Sequence, residues 1–143
     1  MALADTLKEF LADTVAFRIK AQAFHWNVEG EDFMELHKMF GDIYSDADDA
    51  TDTIAEYLRS IQEFAPGSLS RFAALTDIVD QLKVPNAQKM VEELLSDILD
   101  LIDDTKVLFD DATTAKENGI ANFAADRQSQ LGKFAWQLRS YLA

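Results

Sequence analysis

The fold is decided by residues 24–59, FHWNVEGEDFMELHKMFGDIYSDADDATDTIAEYLR. Within this segment apolar residues recur at steps of three and four, which places them on one side of a helix for about eight turns. Asp32 and Glu35 have the spacing of a capping box, in which each side chain bonds a free amide at a helix start. The pattern predicts a helix from about Asp32 to Gln62 whose apolar stripe is Phe33, Leu36, Phe40, Ile43, Ala47, Ala50, Ile54, Leu58 and Ile61.

The same segment carries both histidines of the chain, His25 and His37, and its densest run of carboxylates. Asp52 and Glu56 are four residues apart, so their carboxylates lie one helical turn apart and can bind one cation together. His37 precedes Asp52 by fifteen residues, which is about 22 Å along a helix and far beyond any metal–ligand bond. A second copy of the helix, packed antiparallel across a two-fold axis, would bring its Asp52 and Glu56 close to His37 of the first copy. The spacing therefore predicts a metal site shared between two subunits.

Three motifs resemble those of a known family. They are His-Trp-Asn-Val-x-Gly from residue 25, Phe-x-x-x-His ending at His37, and Asp-x-x-x-Glu from residue 52. Together they resemble the Dps family of miniferritins, also called DNA-binding proteins from starved cells. The segment KFAWQLRS, residues 133–140, is similar to the closing segment of that family. The resemblance covers nearly the whole chain.

The resemblance implies a function and a set of ligands. It implies a homo-oligomer, a dodecameric shell that binds Fe(II) between two-fold related subunits and oxidises it with hydrogen peroxide or oxygen. The Fe(III) product is stored inside, which protects against oxidative damage. The implied ligands are His25 and His37 of one subunit with Asp52 and Glu56 of its neighbour. Trp26, beside the first histidine, is expected either to shield the site and supply electrons or to anchor an interface.

Gly41 departs from the family pattern, which usually places a carboxylate four residues after the second histidine. We expect one good iron position, formed by His25, Asp52 and Glu56, and a weaker one that uses His37 and a share of Glu56. Glycine inside a helix costs about 1 kcal/mol relative to alanine, so a packing reason such as the close approach of another backbone is expected here. The alternative function is therefore a Dps-like shell with impaired ferroxidase activity, acting as a metal-binding or structural assembly.

The rest of the chain predicts an all-α fold. A first helix follows a seam from Leu3 to Val28, and the second is followed by a long connection, 63–86, that holds a short helix near 70–79. Asn86 is expected to cap a third helix that stops at Asn118-Gly119, and a fourth begins near Asn122. We predict a ferritin-like four-helix bundle with a short extra helix in the long crossover between the second and third helices, as one domain, residues 1–143.

Composition narrows the function further. The chain has 143 residues, no cysteine, and 26 acidic against 13 basic residues, for a formal charge of −13. An acidic surface opposes binding to phosphates, so no useful DNA binding is expected. The aspartates Asp46, Asp48 and Asp49 are predicted to form a water-facing stripe. We expect neither a signal peptide nor a membrane-spanning segment, and we expect a soluble cytoplasmic protein. A third, weaker hypothesis is a helical bundle whose histidines are satisfied core groups.

Overall fold

The computed structural model describes residues 2–143 of the chain. This part of the chain forms five helices and no strand: α1 (Leu3–Asn27), α2 (Phe33–Ser60), α3 (Leu69–Leu75), α4 (Ala87–Thr114) and α5 (Asn118–Leu142). The prediction of an all-α, ferritin-like bundle of four long helices is confirmed. The short α3 lies in the crossover between α2 and α4, also as predicted. None of the helices in the described part combines the length and hydropathy needed to cross a bilayer.

The core lies between α1, α2, α4 and α5, with α1 packed on both α2 and α4 and with α4 packed on α5. Phe10, Phe17, Phe40, Ile43 and Ile54 are all at most 1% exposed. Each such side chain contributes about 1.5–3 kcal/mol through its burial. The predicted apolar stripe of α2 is buried from Leu36 to Leu58, whereas Phe33, the first residue of the helix, is 37% exposed.

Two buried charged residues of α1 hold the crossover in place. The Lys20 ammonium donates to the carbonyl of Val79 at 3.0 Å and pairs with Asp97 of α4 at 2.9 Å. About two turns earlier, Asp13 Oδ1 accepts hydrogen bonds from the hydroxyl of Thr76 and the amide of Asp77, at 2.7 and 2.8 Å. Because a buried charge without a partner is costly, these contacts select one path for the long connection.

The predicted capping box does not form. Asp32 does precede α2, but its side chain makes no capping hydrogen bond. Its Oδ2 instead accepts a hydrogen bond from the hydroxyl of Tyr141 at 2.9 Å, so this acidic residue ties the start of α2 to the end of α5. A tertiary donor has therefore displaced the local capping interaction.

The boundary between the last two helices was predicted too late in the chain. α4 ends at Thr114, and Lys116 takes the left-handed conformation at φ 60° that closes a helix. The amide of Glu117 then donates to the carbonyl of Ala112 at 2.8 Å. Asn118, expected to stop α4, is the first residue of α5. The cap asparagine of α4, Asn86, is confirmed, since its side chain accepts from the Lys89 amide.

Asp46 does not belong to a water-facing stripe. Its Oδ2 accepts a hydrogen bond at 2.8 Å from Arg127, a residue of α5 that is only 8% exposed. This ion pair joins α2 to α5 across the bundle. Asp48 and Asp49 do face solvent, as predicted.

Candidate metal site

A short turn brings the two histidines together. His25 lies in the last turn of α1 and His37 in the second turn of α2, and residues 28–32 connect the two helices. Gly30 within this turn has φ 116°, a conformation that side chains other than glycine rarely adopt. The chain can therefore reverse within five residues, and the end of α1 comes to lie against the start of α2.

The two histidines form a reciprocal pair. Nδ1 of His25 lies 2.6 Å from the backbone carbonyl oxygen of His37, and Nδ1 of His37 lies 2.7 Å from the carbonyl oxygen of His25. A carbonyl oxygen only accepts, so each Nδ1 must carry the hydrogen and donate it. Both rings are then in the tautomer that leaves the Nε2 lone pair free. Metal-binding histidines use this arrangement, because the hydrogen bond from the nitrogen that does not bind the metal fixes the orientation of the ring.

Both Nε2 atoms are open for binding. Neither has a hydrogen-bond partner among residues 2–143, and neither is a buried unsatisfied atom, so both reach solvent. The rings are stacked with centroids 3.8 Å apart and planes inclined by 14°. An imidazole lone pair lies in the ring plane, and a metal–nitrogen bond is about 2 Å long. One ion cannot lie in both nearly parallel planes at that distance, so the pair suits two neighbouring ion positions.

Three other residues of α2 surround the pair. The Phe33 ring stacks on the outer face of His37 with centroids 5.1 Å apart, and the Tyr44 ring meets His25 edge-on at 5.2 Å. A Cβ atom at Gly41 would lie 3.0 Å from both Cε1 and Nδ1 of His25. The packing reason for this glycine is therefore an imidazole ring, and not the backbone that we expected. Sequence reasoning missed Tyr44, although it shares one helical face with residues 37 and 41.

The predicted carboxylate ligands lie elsewhere. Asp52 and Glu56 are exposed on α2, and Asp52 lines an open surface depression together with Asp48 and Asp49. Within residues 2–143, no three His, Asp or Glu side chains come close enough to hold one metal ion. The structure thus brings the two histidines together and leaves the two carboxylates apart from them.

Two large apolar side chains close to the histidines in the sequence are exposed. Trp26, which follows His25 directly, is 65% exposed, and Met34, three residues before His37, is 72% exposed. Large exposed apolar side chains next to a polar site are typical of a surface that another molecule covers.

Comparisons with known proteins identify relatives over nearly the whole chain. The ferritin-like domain family matches residues 4–143. The DNA protection during starvation protein of Brevibacillus brevis is 30% identical over 136 residues, covering 95% of this chain and 91% of the relative. The protein of that name from Helicobacter pylori is 29% identical, with 97% of each chain covered.

A solved structure agrees over the same range. The crystal structure of a Dps protein from Bacillus brevis superimposes with a TM-score of 0.95 at 30% identity, covering 99% of this chain and 95% of the other. The fold, the family match and these relatives agree on one family. The chain belongs to the Dps family of miniferritins, ferritin-like proteins associated with iron binding and storage.

Proposed function

We propose that the protein oxidises Fe(II) at sites shared between two-fold related copies and stores the Fe(III) product inside a dodecameric shell. His25 and His37 of one copy bind iron together with Asp52 and Glu56 of the other. The observation that carries this proposal is the pair of reciprocal hydrogen bonds, which leaves both Nε2 atoms free at the protein surface. Imidazole nitrogen with carboxylate oxygen is a donor set that suits iron.

The rigidity of the histidine pair supports a role in binding. Each ring is fixed by a hydrogen bond from Nδ1 and by stacking on its neighbour, so little rotamer freedom remains to be lost when an ion binds. A histidine that served only the core would be expected to use both nitrogens within the fold or to lie fully buried. Here the rings are half-buried, with one nitrogen each left unused among the described residues.

A second copy supplies what one chain lacks. Asp52 and Glu56 are exposed on the same face of α2, about four and about five turns from His37 along the helix. An isologous contact that places two α2 helices antiparallel would bring each carboxylate pair to the other copy's histidines. The exposed Trp26 and Met34 provide apolar area that such a contact would cover.

The reaction is a transfer of electrons from iron to an oxidant. Two Fe(II) ions give one electron each to a hydrogen peroxide molecule, whose O–O bond breaks, and two protons from solvent complete two water molecules. Oxygen as the oxidant takes four electrons from four Fe(II) ions and also ends as water. Two neighbouring ion positions, as the stacked rings favour, allow paired electron transfer to peroxide.

A second function is favoured by one observation. Gly41 supplies no carboxylate, and the histidine-bearing copy then contributes only imidazole to the site. Such a shell would bind metal or simply assemble, without fast turnover of iron. The two functions share the same fold and interface, and they differ in the rate at which Fe(II) is oxidised.

Stopped-flow absorbance after mixing with Fe(II) and hydrogen peroxide tests the proposal. We expect fast formation of Fe(III) in the wild type and a loss of at least tenfold in His25→Ala and in Asp52→Ala. Asp110→Ala is the matched control, because Asp110 is an equally exposed carboxylate on α4. Size-exclusion chromatography with light scattering checks that each variant keeps the mass of the wild-type assembly.

Three results would contradict the proposal. A wild type that is a monomer of 16.1 kDa cannot form the shared site. Equal rates in the wild type and Asp52→Ala would remove the partner's carboxylate from the reaction. Tight metal binding without fast oxidation would favour the alternative, a shell that holds metal.

A further inference from the structure

The imidazole of His25 occupies a slot on the surface of α2. Its walls are the His37 ring, stacked at 3.8 Å, and the edge of the Tyr44 ring at 5.2 Å. Its floor is Gly41, where the absent Cβ leaves room for the ring. Residues 37, 41 and 44 recur at steps of four and three, so they share one face of the helix. A side chain of α1 is thus held by a groove in its neighbour.

A side chain at position 41 would press on the ring. A Cβ at position 41 would lie 3.0 Å from two ring atoms, whereas carbon atoms in ordinary contact are about 3.5–4.0 Å apart. The ring would have to shift by a few tenths of an ångström. One face of the ring is stacked on His37, and its Nδ1 is held 2.6 Å from the His37 carbonyl. Any shift therefore disturbs the stack or lengthens the hydrogen bond.

We propose that Gly41 is a positioning residue for His25. By lacking a Cβ, it lets the ring dock against α2, where the His37 carbonyl holds the hydrogen on Nδ1 and leaves Nε2 for the metal ion. The metal part of this inference rests on the proposed function, whereas the docking of the ring does not. Glycine weakens the interior of a helix, so α2 gives up stability at this position, and the contact with His25 is the compensating feature.

The absence of a carboxylate at position 41 then has a steric reason. A carboxylate at position 41 and the present position of the His25 ring cannot coexist, because every side chain other than glycine's begins with the same Cβ. Restoring the residue that the family resemblance implies would therefore shift one ligand by a few tenths of an ångström while adding another. We expect Gly41→Asp to bind metal more weakly than the wild type, although it gains an oxygen donor.

The test compares Gly41→Ala with Gly132→Ala. Gly132 also lies inside a long helix, α5, but a Cβ there would meet nothing within 4 Å. Magic-angle-spinning ¹⁵N spectra of the assembled protein, labelled at its two histidines and recorded at about pH 8, report the tautomer of each ring without any metal. Calorimetric titration with Zn(II) alone measures affinity, and thermal melting measures stability.

We expect the wild type and Gly132→Ala to share one set of spectra, with the hydrogen on Nδ1 of both rings. In Gly41→Ala the His25 signals should move toward a tautomer mixture, and Zn(II) affinity should fall about tenfold. Gly132→Ala should melt a few degrees higher than the wild type, and Gly41→Ala should not. Unchanged spectra and affinity in Gly41→Ala, together with an equal rise in melting temperature, would overturn the inference.

Two further results separate this inference from the proposed function. Absence of Zn(II) and Fe(II) binding in the wild type would refute the proposed function, while the spectra would still decide the role of Gly41. Tighter Zn(II) binding in Gly41→Asp with unchanged His25 signals would refute the positioning role and leave the iron site standing.

Discussion

Asp104 of α4 provides the clearest test of the electrostatics of the fold. It lies against Asp13 of α1, which already accepts hydrogen bonds from Thr76 and Asp77. Asp104 Oδ2 is buried and has no donor among residues 2–143. Burial, followed by the hydrogen bond and the charge of Asp13, raises the pKa of Asp104 to about 9. Asp104 therefore keeps its proton at neutral pH, and Asp13 is the group placed to accept it.

This proton makes stability depend on pH in a defined direction. The ordinary pKa of the carboxyl is 3.8, so the folded protein holds one proton more than the unfolded chain between pH 4 and 9. The stability from the shared proton is complete below that range and is lost as pH rises through it. One proton gives a slope of at most about 1.4 kcal/mol per pH unit. Water reaches part of Asp104, so we expect a loss of about 1–2 kcal/mol from pH 6 to 9.

The assay is unfolding of the wild type and Asp104→Asn, followed by circular dichroism at pH 6 and pH 9. Asparagine has nearly the same shape, donates to Asp13 and does not titrate, so the variant should lose less stability than the wild type over this range. Asp110→Asn on the same helix is the control, and its pH dependence should match the wild type. Parallel curves for the wild type and Asp104→Asn would mean that Asp104 is ionised in the folded protein, and the reasoning would fail.

Three other predictions concern the bundle and its surface. Asp46→Ala leaves the buried guanidinium of Arg127 without its partner and should cost about 2–4 kcal/mol in chemical unfolding, whereas Arg127→Met should cost less, because Asp46 can still reach water. An Asp46→Ala variant as stable as the wild type would contradict this. Asn86→Ala removes the cap of α4 and should lower stability by about 1 kcal/mol in the same assay; no change would mean that the cap is dispensable. The assembled protein should not retard duplex DNA in a mobility shift at about 0.15 M salt, since its formal charge is −13; a clear shift would disprove it.

Helix positions were predictable because their cause is local. The three-four spacing from Leu36 to Leu58 predicts a buried face, and that face is buried. Asn86 predicts a cap for the same reason, since its side chain bonds an amide only three residues away. The late boundary at Asn118 shows the limit of this reasoning. The left-handed conformation that ends α4 was taken up by Lys116, and no pattern in the sequence favours lysine for it.

At the candidate site, too, the sequence predicted which residues matter but not how they contact each other. The histidines and carboxylates were named from their spacing and from a family resemblance, and the structure brings His25 and His37 together. Their reciprocal hydrogen bonds and the contact of His25 with Gly41 involve residues twelve or more positions apart, on two different helices. Such contacts depend on how the helices are rotated about their axes, and a period of 3.6 residues does not define that angle closely enough.

The sequence by itself determined the all-α class and the extent of most helices, because periodicity acts over a few residues, and it predicted His25, His37, Asp52 and Glu56 as iron ligands. Only the tertiary structure decided that Asp32 bonds Tyr141, that Asp46 pairs with Arg127, and that the imidazoles stack with Nε2 outward. In each case the partner comes from another helix, and for Asp46 and Arg127 burial strengthens an interaction that an isolated helix in water would not keep.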